Sequence, residues 1–255
     1  MKILDRRYLD EYSKRIGHRI PDLISHFDFS DERNNFDYLT KSSAVFSSNI
    51  EGNSIDLNSY MNYEFNKEKF KSGKEIKEIE QLIRAYEFAQ KNKLTEQNLL
   101  KAHAILSTPL LIKSKRGRYR TEQVGVFGKS GMAYLAVEPE FVTKQMDLFF
   151  DEINTLLKES LTPKEVFYFA SLIHLRFAHI HPFRDGNGRT ARLLEKWFVC
   201  EKSGRPFWKI PSEEYYKNNQ QHYYETIHLG VNFYELNYSN CLPFLEMLPA
   251  CLDTI

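Results

Sequence analysis

Apolar residues recur at intervals of three and four along most of the chain, and Gly and Pro gather at a few joints, the pattern of successive amphipathic helices. The period predicts helices over about 6–25, 36–50, 57–70, 75–92, 95–107, 138–158, 163–179, 187–202, 212–229 and 240–250. The best-marked start is Thr162-Pro163-Lys164-Glu165, with a side-chain oxygen at the cap, Pro in the first turn and Glu three positions on, the parts of a capping box. From there Phe167, Ile173 and Phe177 form a core stripe, and downstream Gly204-Arg205-Pro206 ends the helix of 187–202. One stretch departs from the helical period. Residues 123–127 and 132–135 read as two short strands around Gly128-Lys129-Ser130-Gly131, a small hairpin that needs a helical body to lean on. The expected fold class is all-α, mainly helical, with that hairpin as an appendage.

Length and charge narrow the functional classes. At 255 residues the chain suits one large domain, and 35 basic against 34 acidic residues give no global footprint for nucleic acid or an anionic membrane. Cys200, Cys241 and Cys251 lack CxxC spacing and read as reduced core thiols, so neither a disulfide framework nor a zinc site is expected. The charged opening Met1-Lys2-Ile3-Leu4-Asp5-Arg6-Arg7 is unlike a secretory leader, and no apolar run reaches the roughly 20 residues of a membrane span. A cytoplasmic protein is the expectation.

Chemistry concentrates in His181-Pro182-Phe183-Arg184-Asp185-Gly186-Asn187-Gly188-Arg189-Thr190-Ala191-Arg192. Gly186, Asn187 and Gly188 stand where a loop enters a helix, so their N–H groups and the positive helix end offer a nest for phosphate oxygens. Asp185 is placed to hold Mg2+, which favours a carboxylate with substrate phosphates completing its shell. His181 suits a general base that deprotonates an incoming hydroxyl. Arg189 and Arg192, three apart on the first turns, are forked donors that can clamp phosphates. Phe183 is expected to plug the loop into the core. His103, His174 and His179 are assigned to packing and hydrogen bonding, because their spacing lacks the two-histidine, one-carboxylate logic of a metal site.

The run matches HPFx[DE]GN[GK]R without a mismatch, and on it the chain resembles the Fic domain family of protein AMP transferases. Further landmarks are His174-x-x-Phe177-x-x-Ile180-His181, Gly117-Arg118-Tyr119-Arg120 and the pair Tyr223-Tyr224. The resemblance implies a Fic domain over 35–250, preceded by an N-terminal helical extension over 1–34. It implies that His181 activates a Ser, Thr or Tyr hydroxyl of a target protein, which attacks the α-phosphate of ATP and releases pyrophosphate. The hairpin, about 123–135, would be the family's flap, holding the target segment by strand addition, with Val124, Gly125, Val126 and Phe127 beside ATP. Tyr223 and Tyr224 would contribute to the adenosine pocket. Mg2+ is the implied cofactor, with Mn2+ open.

Ser47-Ser48-Asn49-Ile50-Glu51-Gly52 is similar to the family's inhibitory motif [ST]xxxE[GN] on a helix of about 36–51. The resemblance implies that Glu51 pairs with Arg192 and, with Ser47, restrains the enzyme. Gly188, where phosphorylating relatives carry Lys, favours nucleotide transfer. Transfer of another NMP, de-AMPylation, and a non-catalytic nucleotide-sensing or peptide-docking module are the alternatives. Ala136-Val137-Glu138-Pro139 departs from the Pro-Pro segment of many relatives, and the usual Asn after the tyrosines aligns with either Val231 or Asn232. The target protein is unassigned and a homodimer is left open.

Overall fold

A computed structural model describes residues 2–27, 29, 33–66, 73–128 and 131–253. Twelve helices lie among them: α1 Leu9–Arg15, α2 Ile20–His26, α3 Arg33–Ile50, α4 Leu57–Phe65, α5 Lys74–Lys91, α6 Glu96–Leu106, α7 Pro139–Lys158, α8 Pro163–Ile180, α9 Asn187–Ser203, α10 Ser212–Asn218, α11 Gln220–Ile227 and α12 Leu242–Ala250. Strands β1 Gly125–Gly128 and β2 Gly131–Leu135 pair antiparallel, and the register slips between Val126 and Phe127. The expected end of the 57–70 helix beyond 66 and the hairpin turn at 129–130 lie outside the described residues.

Two expected helices are broken. The stretch 6–25 becomes α1, a tight turn at Gly17–Arg19 and α2. Pro21 sits in the first turn of α2, where its missing N–H costs no helical bond, whereas inside one long helix it would clash with the preceding turn. The stretch 212–229 divides at Asn219, whose φ of −111° and ψ of 35° leave the helical well. No Gly or Pro marks that break.

α8 and α9 form the centre, packed on one another, with α7 and α12 against α8 and α5 against α9. Along α8, Phe167, Ile173 and Phe177 are wholly buried. Glu165 accepts from the Thr162 N–H at 2.9 Å, so the helix start carries the Glu half of its capping box. A polar seam stitches the layers together. Lys196 of α9 pairs with Glu213 of α10 and donates to Ser43 Oγ of α3 at 2.8 Å, while Tyr86 Oη of α5 donates to Glu213 at 2.6 Å. Each buried charge in the seam therefore has a partner, without which burial would be strongly unfavourable.

The hairpin leans on the end of α8. Tyr134 is buried, and its hydroxyl donates to the His179 carbonyl at 2.7 Å. On its outer edge, the Leu135 N–H donates to the Val231 carbonyl at 2.9 Å and the Leu135 carbonyl accepts from the Phe233 N–H at 3.1 Å. The three cysteines are buried free thiols, and no described helix is long and apolar enough to cross a membrane.

Burial pushes the His103 pKa down to about 4 and that of His179 to about 3, against the pull of carbonyl partners. The unfolded chain then binds more protons between roughly pH 6.5 and pH 4, so stability is lost as pH falls through that window. We expect the unfolding free energy to drop from pH 6.5 to pH 4.5 by up to about 1.4 kcal/mol per pH unit for each histidine, read as a falling melting temperature. A clearly shallower profile in His103→Gln/His179→Gln, with the remainder left to His181, whose pKa burial also lowers to about 4, would tie the slope to these rings; a flat wild-type profile would refute it.

Candidate active site

The loop from 181 to 186 joins the two central helices, and its shape is fixed by side chains that bond to backbone. His181 ends α8 in the left-handed region, φ 52°, the one described non-glycine residue with positive φ. Such strain persists only where surroundings over-determine it. Arg120, buried between loop and hairpin, supplies much of that: its Nε donates to the His181 carbonyl at 2.8 Å, and its other nitrogens donate to the carbonyls of Glu122 at 3.0 Å and Val137. Its own N–H donates to the Pro182 carbonyl at 2.9 Å. Asn187 closes the loop from the other side, accepting from Phe183 N–H and donating to the Phe183 carbonyl, both at 2.8 Å.

His103 sets the floor. Gly117 N–H donates to its Nδ1 at 3.0 Å, which puts the proton on Nε2, and Nε2 lies 3.0 Å from the Asp185 carbonyl. Its ring stacks on Phe183, centroids 3.5 Å apart and 5° from parallel. Gly117 is required there: at φ +62°, an added Cβ would fall 2.5 Å from the Leu100 carbonyl oxygen. Phe183 is wholly buried, as a plug should be.

His181 is half-buried, and its Nδ1 lies 3.2 Å from the Ala178 carbonyl. Nδ1 donating there leaves Nε2 as the basic nitrogen. Burial, reinforced by the Arg120 charge, moves the ring pKa down to about 4, although the Ala178 carbonyl, Glu51 and Asp185 pull upward. The imidazole is neutral at pH 7 and can take a proton. His174 and His179 are spoken for: His174 Nε2 lies 2.9 Å from the Tyr223 hydroxyl, and His179 lies 2.9 Å from that of Tyr238 and 2.8 Å from the Ile227 carbonyl.

α9 begins at Gly186, φ +81°, packed so closely that an added Cβ would lie 3.0 Å from Leu106. The first-turn N–H groups of Asn187, Gly188 and Arg189 have no helical partner and are free to receive an anion. Asp185 is exposed beside it; its Oδ1 accepts from Gly186 N–H at 2.6 Å, and its other oxygen takes no hydrogen bond. Among the described residues no three His, Cys, Asp or Glu side chains gather as a metal cage. A single carboxylate at the lip of a phosphate nest fits a magnesium ion whose remaining ligands come from substrate and water.

Both signature arginines are engaged by carboxylates from earlier helices. Arg189 Nη2 pairs with Glu78 of α5 at 3.1 Å, while its buried Nε has no partner. Arg192 is wholly buried: Nε donates to Ser47 Oγ at 2.9 Å, Nη1 to the Tyr223 hydroxyl at 3.3 Å, and Nη2 to the Ser47 carbonyl at 2.9 Å and Glu51 Oε1 at 2.7 Å. Burial opposes charge on Glu51, but Arg192 and Arg189 outweigh it and hold the carboxyl below its ordinary range. The same carboxylate lies over the nest, since an added Cβ at Gly188 would fall 2.2 Å from Glu51 Oε1. Glu51 thus meets both Arg192 and the start of α9.

The Glu51-Gly52 pair follows from how α3 ends. Asn53 N–H bonds to the Ser48 carbonyl at 3.1 Å and Gly52 N–H to that of Asn49 at 3.1 Å, the two bonds of a Schellman motif. Gly52 takes φ +93° at the position where Gly, or less well Asn, is tolerated. Glu51 is therefore the residue at which the helix turns away, held at a defined place.

Val124 and Gly125 are half-buried on the hairpin and Val126 is exposed; the Phe127 backbone is in β1, but its side chain lies outside the described residues. Tyr223 is buried behind Arg192, while Tyr224 is 45% exposed. Asn232 Oδ1 caps its own turn, accepting from Tyr234 and Glu235 N–H at 3.0 and 3.1 Å. Glu78, Arg120 and His103 emerge as site residues only in three dimensions; of these, Arg120 alone lay within a motif visible in sequence.

A family model described as Fic/DOC family matches residues 93–199. The chain is 34% identical over 137 residues to Protein adenylyltransferase Fic of Nematostella vectensis, covering 54% of this chain and 27% of that protein. It is 35% identical over 114 residues to Protein adenylyltransferase fic-1 of Caenorhabditis elegans, covering 45% and 20%. The chain thus spans about a quarter of the length of the curated relatives it matches. A Fic family protein from Desulfovibrio desulfuricans G20 shares the fold, with TM-score 0.78 and 22% identity over 94% of this chain and 71% of that one.

Arg120→Ala should strand the carbonyls of His181, Glu122 and Val137 in the interior, at about 3 kcal/mol in urea denaturation. A cost below about 0.5 kcal/mol, the usual range for surface substitutions, would mean that those carbonyls find other partners.

Proposed function

We propose that the chain, whose residues 93–199 match the Fic/DOC family model, is a protein adenylyltransferase, moving AMP from ATP to a hydroxyl of a target protein and holding itself in check through Glu51. The observation that carries this reading is one constellation: a neutral imidazole at His181, free first-turn N–H groups at Asn187, Gly188 and Arg189, and two guanidinium groups behind them.

In this reading ATP lies with its phosphates over the start of α9. The nest N–H groups bind phosphate oxygens, and Arg189, with its unpartnered Nε, and Arg192 neutralise the polyphosphate. Asp185 would hold Mg2+ against the phosphates, and that ion, when bound, supplies charge neutralisation. His181 Nε2 accepts the proton of a target hydroxyl as its oxygen bonds to the α-phosphorus. The bond from that phosphorus to the bridging oxygen breaks, and pyrophosphate leaves. The hairpin, anchored by Tyr134, supports an extended target segment by strand addition. Tyr224, the more exposed of the pair, offers a face to the adenine.

Glu51 restrains the reaction by occupation. Its carboxylate takes a donor of Arg192 and stands over Gly188, so a phosphate chain meets a negative charge where it needs a positive one. Once Glu51 is displaced, Arg192 becomes a buried cation in want of an anion.

With α-labelled ATP, Mg2+ and host-cell lysate, Glu51→Gly should label protein well above wild type, and Glu51→Gly/His181→Ala should return to background. Absence of labelling in all three, with ATP binding shown, would remove the reading. ATP should also raise the melting temperature of Glu51→Gly more than that of wild type.

The rate of Glu51→Gly should hold through pH 6 and fall only toward about pH 4, because the active form is the unprotonated imidazole and the Glu51 charge that raises its pKa is gone. An acid limb centred near 6.5 would count against His181 as the base.

A further inference from the structure

The carbonyls that end α3 should be bare, because the last four of any helix lack an intrahelical donor. Here those nearest Glu51 are met from the α10–α11 corner. Lys217 Nζ donates to the Asn49 carbonyl at 3.2 Å, and Gln220 Nε2 and the Tyr224 hydroxyl each donate to the Ile50 carbonyl at 2.8 Å. Lys217 also donates to Gln220 Oε1 at 2.8 Å, which sets the amide so that its NH2 points to α3. A cation at a helix C-terminus is favoured by the macrodipole as well. Lys217 of α10 and Gln220 of α11 flank the break at Asn219 and reach consecutive carbonyls of α3.

Neither Lys217 nor Gln220 touches Glu51, Arg192, His181 or the nest through any hydrogen bond or ion pair. They grip the two peptide units immediately before Glu51 instead. The Schellman turn fixes the direction in which the chain leaves α3, and this grip fixes the end of the helix from which it leaves. A carboxylate 2.7 Å from Arg192 requires both, since a shift of about 1 Å would break its hydrogen bond.

We infer that Lys217 and Gln220 are positioning residues for Glu51: a clamp on the end of α3 that sets the restraint, built on the same corner that carries Tyr224. This rests on the reading of Glu51 as a brake. Release of the clamp frees the turn at 51–53 without altering the residues that bind phosphate or move the proton. A nucleotide that shifts Tyr224 would pull on the Ile50 carbonyl, so occupancy of the adenine side and the hold on Glu51 are linked through one hydroxyl.

The test compares wild type, Lys217→Ala/Gln220→Ala and Lys217→Arg, alone and in the Glu51→Gly background. Amide hydrogen exchange at Glu51, Gly52 and Asn53, whose N–H groups bond to the carbonyls of Ser48 and Asn49, should quicken about tenfold in the double variant and stay at the wild-type rate in Lys217→Arg. Transfer from α-labelled ATP should rise about tenfold in the double variant, yet gain nothing when Glu51→Gly is also present. Unchanged exchange and labelling in a protein that melts normally would overturn the proposal, as would an equal rise in the Glu51→Gly background. Should Glu51→Gly itself fail to raise labelling, the brake is wrong, and the exchange rates alone then decide whether the clamp holds the turn.

Discussion

The buried guanidinium of Arg192 is the constraint around which the site is arranged. A cation removed from water at the centre of the fold is unfavourable unless nearly every donor finds an acceptor. Four acceptors surround it, two from Ser47, one from Glu51 and one from Tyr223. Three are neutral, so the negative charge comes from Glu51 alone, whose side chain is still 29% exposed. The neutral partners hold the arginine in place whether or not the carboxylate is there. The charged partner sits at the rim, and in the proposed reaction it is the one with which an incoming phosphate competes. That asymmetry separates the arginine's position, which is permanent, from its neutralisation, which is exchangeable.

The loop that carries His181 follows the same logic. A left-handed histidine between two long helices is unfavourable in isolation, and it stands because Arg120, Asn187 and His103 each bind the loop by its backbone. These bonds leave the functional atoms alone: His181 Nε2, the second oxygen of Asp185 and the first-turn N–H groups of α9. Rigid support from behind and free donors and acceptors in front are what preorganised chemistry needs.

Much of the site was legible because its signals are local. A glycine-framed turn before a helix, a carboxylate beside it and arginines three apart specify a phosphate nest without knowledge of the rest of the chain. Helix positions were equally readable, since the 3.6-residue period is written residue by residue; α3, α5, α7, α8 and α9 lie within a few residues of where the pattern puts them. Breaks without a local signal were not legible. Pro21 offered one for the division of the first helix, but no Gly or Pro marks the division at Asn219, where α10 packs against α3 and α11 against α12.

The chain by itself therefore determined the helical class, the hairpin and the glycine-framed loop that opens α9, because each depends on residues within a few positions of one another. Which charges meet was decided by tertiary structure. Glu78 and Arg189 are 111 residues apart, Glu51 and Arg192 141, and Lys217 and the Asn49 carbonyl 168. A motif on a known resemblance could single out Glu51, yet nothing along the sequence distinguishes Glu78, Lys217 or Gln220 from solvated polar residues on a helix face. Their roles exist because α5, α10 and α11 are packed so that a side chain of a few rotatable bonds reaches one particular backbone or guanidinium group. Period and propensity carry no information about that distance.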